Sequence, residues 1–200
     1  MNEGVIKFHL DHTFGPPLPK SLWEEIGYVR EKLFSLGLIG EKEGIGYGNI
    51  SKRTERDGFV ITATQTGGLK RLTKEHYALV DSYDEERFVI GSTGPAKPSS
   101  EAFTHAAVYA LSRQISWVVH IHSNPIWKMM IEKDYLKSAP VPYGTKEMAR
   151  EVKRIYETID PLKEPMFAMS GHEDGVMIFA ENAENALTIA EDLYKRAQSV

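Results

Sequence analysis

The chain contains no cysteine. Disulfide bridges and zinc–thiolate sites are therefore excluded. The same absence fits a reducing compartment, and a cytoplasmic protein is the expectation. No apolar stretch approaches the ~20 residues that span a bilayer. The opening MNEGVIKFHLDHTFGPPLPK lacks the basic segment and apolar run of a signal peptide. Charge of one sign is missing too. Acids and bases are mixed along the sequence, with a net charge of -4, and no basic block or acidic tail stands out. Neither nucleic acid nor a membrane surface is expected as a partner. There is no internal repeat, linker or low-complexity tract.

What is present is ordinary globular composition, 42% hydrophobic and 26% charged over 200 residues. That is enough chain for one domain, 1–200, with residues 1–20 read as an arm or loop. Leu22, Ile26, Val29, Leu33 and Leu36 recur at helical spacing, with Ser21 as N-cap and Gly37 near the end. The glycine-rich EKEGIGYGNIS breaks that helix. GFVITAT reads as a strand, and HYALVDSYDEERFVIGS as two strands around an acidic turn. SEAFTHAAVYALSR is helical, SWVVHIHS a strand, NPIWKMM a short helix and KEMAREVKRIYETI another. PMFAMS and GVMIFA are strands around GHED, and a final amphipathic helix begins near Ala183. Intermixed strands and helices without strict βαβ repetition predict a layered α/β domain, a sheet covered by helices.

Two of the seven histidines, His120 and His122, stand one residue apart on the strand SWVVHIHS. Alternation puts both on one face with Val118, and Trp117, Val119 and Ile121 on the other. Their Cβ atoms then lie roughly 6–7 Å apart, a spacing from which two imidazoles can converge on one ion. Two hydrogen-bonded histidines at a sheet rim would give the same pattern. A third ligand is available in His172, in a polar turn between two apolar strands. His9, His12 and His76 read as surface residues. His105 follows Glu101 by four residues on one helix face and reads as a structural hydrogen-bonding group.

Glu101, preceded by Ser99 and Ser100, opens a helix. Hydroxyls and an acid suit a helix N-terminus on their own. The same arrangement also suits a phosphate beside the helix end, or a carboxylate working as acid/base next to a metal. Asn49, Ser51, Thr66, Gly67 and Gly68 lie in polar turns that could present amides to an anion.

Six segments, in this order, resemble one family: GNIS followed by a basic residue, an IT strand leading to TGG, KPSSE, VVHIHS, PYGT and GHEDGV. Together they are similar to the class II aldolase/adducin family, over about residues 20–197. That family includes fuculose-phosphate and rhamnulose-phosphate aldolases, ribulose-phosphate 4-epimerases and sugar-phosphate dehydratases. The resemblance implies a central, mostly antiparallel sheet with helices on both faces. It implies that His120, His122 and His172 bind a divalent metal, Zn2+ in the first place, with Mn2+, Fe2+ or Co2+ as alternatives for such donors. Glu101 would be the acid/base, and Asn49, Thr66, Gly67, Ser99 and Ser100 would hold the phosphate of a sugar-phosphate-like substrate. A homotetramer with active sites between subunits is implied, with Tyr143 or Tyr135 as proton donor from a neighbouring subunit.

The activity so implied is that of a lyase: retro-aldol cleavage of a ketose phosphate or related hydroxy-carbonyl compound through a metal-stabilised enediolate. Epimerisation, dehydration or decarboxylation would use the same centre, and Asp134 and Tyr135 lie where epimerases of the family carry extra acid/base groups. An adducin-like assembly module is the non-enzymatic alternative, against which the full set of histidines and Glu101 argues. Three departures stand out. ITATQTGG is about two residues longer than the usual loop, so Thr64 or Gln65 could take the role of Thr66. GHEDG replaces Asn-His-Gly and adds Glu173 and Asp174. The aromatic residue nearest to the family's C-terminal tail position is Tyr194, on the last helix.

Overall fold

The computed structural model describes residues 4–199. Short, β-branched apolar runs make a strand buried on both faces, and three of them build the centre of the sheet. These are β5 (Phe59–Thr62), β8 (Trp117–His122) and β10 (Gly175–Ala180). The other sheet strands are β1 (His9–Phe14), β4 (Asn49–Arg53), β6 (Tyr77–Asp84), β7 (Val89–Gly94) and β9 (Met166–Ala168). The eight strands run in the order β1-β7-β6-β5-β4-β8-β10-β9. Every neighbouring pair is antiparallel except β1 with β7. A separate hairpin pairs β2 (Gly40–Lys42) with β3 (Ile45–Tyr47).

Strand alternation divides the core in two. Phe59, Ile61, Val118, Met177 and Phe179 face one layer with α2 (Ala102–Leu111) and α4 (Lys146–Ile155). Val60, Trp117, Val119, Ile121 and Ile178 face the other, with α1 (Lys20–Ser35), α3 (Asn124–Glu132) and α5 (Ala183–Gln198). Helices therefore cover both faces of a mostly antiparallel sheet, as the sequence leads one to expect. The apolar stripe of α1 is buried through Ile26, Val29 and Leu33.

Two details differ from expectation. Part of the arm is an edge strand: β1 lies parallel to β7, with His9 opposite Val89 and Phe14 opposite Gly94. Its residues are exposed or half-buried because only one face meets protein. The helix α1 starts after Pro19, not Ser21, and no side chain caps it. Proline's fixed φ and missing N–H suit a helix start without such a bond.

Beside the sheet centre, His105 is fully buried on α2. Its Nδ1 lies 2.7 Å from Ser51 Oγ, which also pairs with the Tyr109 hydroxyl at 2.8 Å. Burial pushes the His105 pKa down to about 3. An unfolded imidazole titrates near 6.5, so below that pH the unfolded chain binds a proton that the fold excludes. The metal-free protein should therefore lose stability as pH falls from about 6.5 towards 3, this histidine contributing up to about 1.4 kcal/mol per pH unit. Urea unfolding followed across that range, with His105→Gln as the comparison, measures the contribution; the variant should show a shallower acid slope.

Candidate metal centre

The pairing of three strands brings the chemistry to one end of the sheet. Asn49 at the start of β4 stands opposite His120 of β8, and Gly175 at the start of β10 stands opposite His122. The turn before β10 is tight: His172 N donates to Met169 O at 3.0 Å, and Gly175 N to His172 O at 2.9 Å. It therefore returns His172 to the strand end that carries the histidine pair. At β5 the Ser99 amide donates to Thr62 O at 3.1 Å, fixing the loop that leads into α2. Glu101 occupies the N-cap position of that helix, and its amide donates to Ser99 Oγ at 3.2 Å.

One ring nitrogen from each of His120, His122 and His172 lies within 4.8 Å of the other two. His120 Nε2 and His122 Nε2 are 3.0 Å apart. A tetrahedral ion at ~2.0–2.1 Å from each nitrogen needs separations of roughly 3.3 Å, close to that of the His120–His122 pair. His120 Nδ1 donates to Val176 O at 3.2 Å. A carbonyl only accepts, so this bond fixes the tautomer and leaves the Nε2 lone pair facing the centre. Desolvation holds all three imidazoles well below their usual pKa. The neighbouring histidines add to this for His120, His172 and Lys42 for His122, and His120 and Lys7 for His172. The three are neutral donors at physiological pH, as metal ligands must be. Glu101, 3% exposed, sets Oε1 at 3.8 Å from both His120 Nε2 and His172 Nε2.

These residues line one cleft, together with Asn49, Thr66, Gly67, Ser99, Ser100 and Tyr143. Asn49 Oδ1 is buried and has no hydrogen-bond partner among the described residues. The Thr66 hydroxyl donates to Ala63 O at 2.8 Å, and Gln65 beside it adopts a positive φ of 59°. Gly67 is packed under the β2–β3 hairpin, where a Cβ would come within 2.4 Å of Gly40 O. The Tyr143 ring sits 4.6 Å from that of His172. Tyr135 is not on the cleft of its own chain; its hydroxyl accepts from Arg196 at 3.4 Å. Asp174 shapes the turn, at φ 68° and bonded to Asn124 Nδ2 at 2.7 Å, while Glu173 is exposed. His9 pairs with Asp11 and His12 with Ser92, away from the cleft.

One contributor escapes sequence reasoning. Arg30, 1% exposed within the apolar stripe of α1, donates to Gly67 O at 2.7 Å, Thr66 O at 3.0 Å and Lys70 O at 3.2 Å. It gathers the carbonyls of the Thr66–Gly67 turn behind the cleft wall. The only signal in sequence is a charge at a position that the helical period assigns to the core.

The sheet, covered on both faces and carrying three histidines at one end, has the architecture of the class II aldolases and adducins. A family model, the class II aldolase and adducin N-terminal domain, matches residues 35–200, and the chain is a member of that family. Among solved structures it resembles L-fuculose-1-phosphate aldolase from Thermus thermophilus, with a TM-score of 0.68 at 21% identity, over 90% of this chain and 92% of that one. YgbL from Klebsiella pneumoniae, described as an aldolase, epimerase or decarboxylase candidate, gives 0.69 at 18% identity over 90% and 88%. A sugar-phosphate aldolase from Thermotoga maritima gives 0.67 at 18% identity over 90% and 93%. At such identities the likeness shows the fold alone.

Gly175 leaves room for the centre: a Cβ there would lie 2.5 Å from His172 Cδ2 and 3.1 Å from His120 Cε1. If the trio holds a divalent ion, Gly175→Ala should weaken its binding about tenfold or more, read by competition with a chromophoric chelator, with the circular dichroism spectrum unchanged. Arg30→Met leaves three carbonyls without their donor and should lower the urea-unfolding free energy by about 3 kcal/mol.

Proposed function

We propose that the protein is a metal-dependent lyase that cleaves a ketose phosphate, or a related hydroxy-carbonyl compound, by retro-aldol chemistry. The observation that carries this reading is the meeting of three neutral imidazole nitrogens with a buried carboxylate in one cleft. His120, His122 and His172 would hold a divalent ion, zinc in the first place. Bound there, the ion would supply Lewis acidity to a substrate oxygen.

The chain's own groups do the rest. Glu101 stands within reach of the same point as the three nitrogens, so its carboxylate can take a proton from a substrate hydroxyl or carbon and return it. Glu101 is buried, so water screens that interaction less than it would at the surface. In the same cleft, Asn49, Ser99, Ser100 and the Thr66–Gly67 turn would hold a phosphate, with amides and short polar side chains. Holding the substrate by an anion remote from the reacting bond fixes its register. Tyr143 packs against His172 and is the proton donor available within the same chain. Tyr135 would act only in a neighbouring subunit, in the homotetramer that the family resemblance implies. The proposed setting is the sugar-phosphate metabolism of the cytoplasm. No helix among the described residues is long and apolar enough to cross a membrane.

The description of YgbL supports a second use of the same centre, epimerisation or decarboxylation. An assay of ketose-phosphate cleavage beside pentose-phosphate epimerisation separates cleavage from epimerisation. His120→Ala or His122→Ala should lose stoichiometric metal and turnover together. Glu101→Gln should keep its metal and lose turnover by about 10²–10⁴-fold, the scale of acid–base catalysis. Full activity in metal-free His120→Ala would end this reading.

A further inference from the structure

The arm ahead of β1 does more than lead into the sheet. Phe8 anchors it in the core, 6.1 Å from Phe103 and 6.3 Å from Phe88 between ring centres. Before that anchor the arm touches the cleft at one of its described residues. Gly4 lines it, and Gly4 O accepts from Thr64 Oγ1 at 3.2 Å. Lys7 then turns inward. Its Nζ donates to Tyr143 O at 2.8 Å and stands 3.1 Å from the centroid of the Tyr143 ring. That ring packs on His172. The ammonium is close enough to Glu101 for the two charges to attract one another, and its charge helps to keep His172 neutral. A rim lysine ordinarily reaches into water. This one is half-buried and drawn back against the metal side of the cleft, on a segment outside residues 35–200 that the family model matches.

An ammonium has three donors, and Tyr143 O takes one. Cation–π attraction to the Tyr143 face holds the group in place without using the others. We propose that Lys7 is an anion-binding residue of the centre: its ammonium pairs with an oxyanion that a substrate presents at the metal, in addition to any phosphate held by Asn49 and Ser99. The ligand class so favoured is a small chelating oxyanion, a carboxylate or an enolate-type oxygen beside a second oxygen. This rests on the reading of the three histidines as a metal centre.

The test uses the full chain loaded with Co(II), whose visible bands report on the ion's surroundings. Oxalate, a chelating dianion, and imidazole, a neutral ligand, are titrated separately, with cobalt retention checked by gel filtration. Lys7→Gln keeps a hydrogen-bond donor for Tyr143 O and removes the charge. It should bind cobalt like the wild type, lose about tenfold in oxalate affinity, the scale of one charge-assisted hydrogen bond, and change imidazole affinity less than about twofold. Lys7→Arg should restore oxalate binding to within about threefold. Unchanged oxalate affinity in Lys7→Gln overturns the proposal. So does an equal loss for oxalate and imidazole, which would make Lys7 only a brace for the Tyr143 turn. If Lys7→Gln does not fold, the comparison of Lys7→Met with Lys7→Arg is read by the same criteria. Absence of cobalt bands in the wild type is a different failure: it removes the metal-centre reading itself, and this proposal with it.

Discussion

The whole arrangement depends on the register between β8 and β10. Gly175 stands opposite His122 and Met177 opposite His120, so the turn before β10 closes at the strand end where the histidine pair emerges. Slip that pairing by one residue and the faces invert. His172 would then leave the cleft, and Met177 would enter the other core layer. The register is held by burial on both faces: Val176 and Ile178 pack on one side, Met177 and Phe179 on the other. The hydrophobic core thus specifies the geometry of the polar centre. At position 175 the side chain is absent, where two imidazoles come close to the backbone.

Charge gives a second constraint. A carboxylate as buried as Glu101 is costly in a low-dielectric setting unless positive charge is near. Three imidazoles stand beside it, but desolvation keeps them neutral, so they add no counter-charge of their own. The Lys7 ammonium on the arm supplies part of it, and a cation held by the three nitrogens would supply more.

Much of this was legible in the sequence, and the parts that were not have physical causes. Alternation along SWVVHIHS placed His120 and His122 on one face, and the apolar runs of β5 and β10 read as strands. The stripe of α1 named its buried apolar residues. The edge strand β1 pairs with residues 89–94, far along the chain, and its side chains are at most half-buried. A local pattern cannot announce such a partner. The β2–β3 hairpin was hidden by its glycines, which read as a break. Arg30 and Lys7 were missed for one reason: a single cation has no periodicity, and its meaning lies in the carbonyls or ring it meets after folding. The lengthened ITATQTGG turn was visible as a departure. What it does there was not, because the positive φ of Gln65 and the inward bond of Thr66 are properties of the folded loop.

Those departures converge in space. The lengthened turn and the GHED turn are separated by many residues, yet Gln65 and His172 line one cleft together with Gly4 of the arm and Tyr143, on which Lys7 packs. The sheet itself is shared with structures only 14–21% identical to this chain. Here it delivers three nitrogens and a carboxylate to one point. Such a centre does not by itself choose between breaking a carbon–carbon bond and moving a proton. That choice depends on where the other charges and proton donors stand around the substrate. In this chain Glu101 and Tyr143 lie in the shared KPSSE and PYGT segments, while Lys7 and Gln65 lie on the arm and the lengthened turn. Differences in selectivity would then come from the arm and that turn, with the sheet supplying a rigid frame for both.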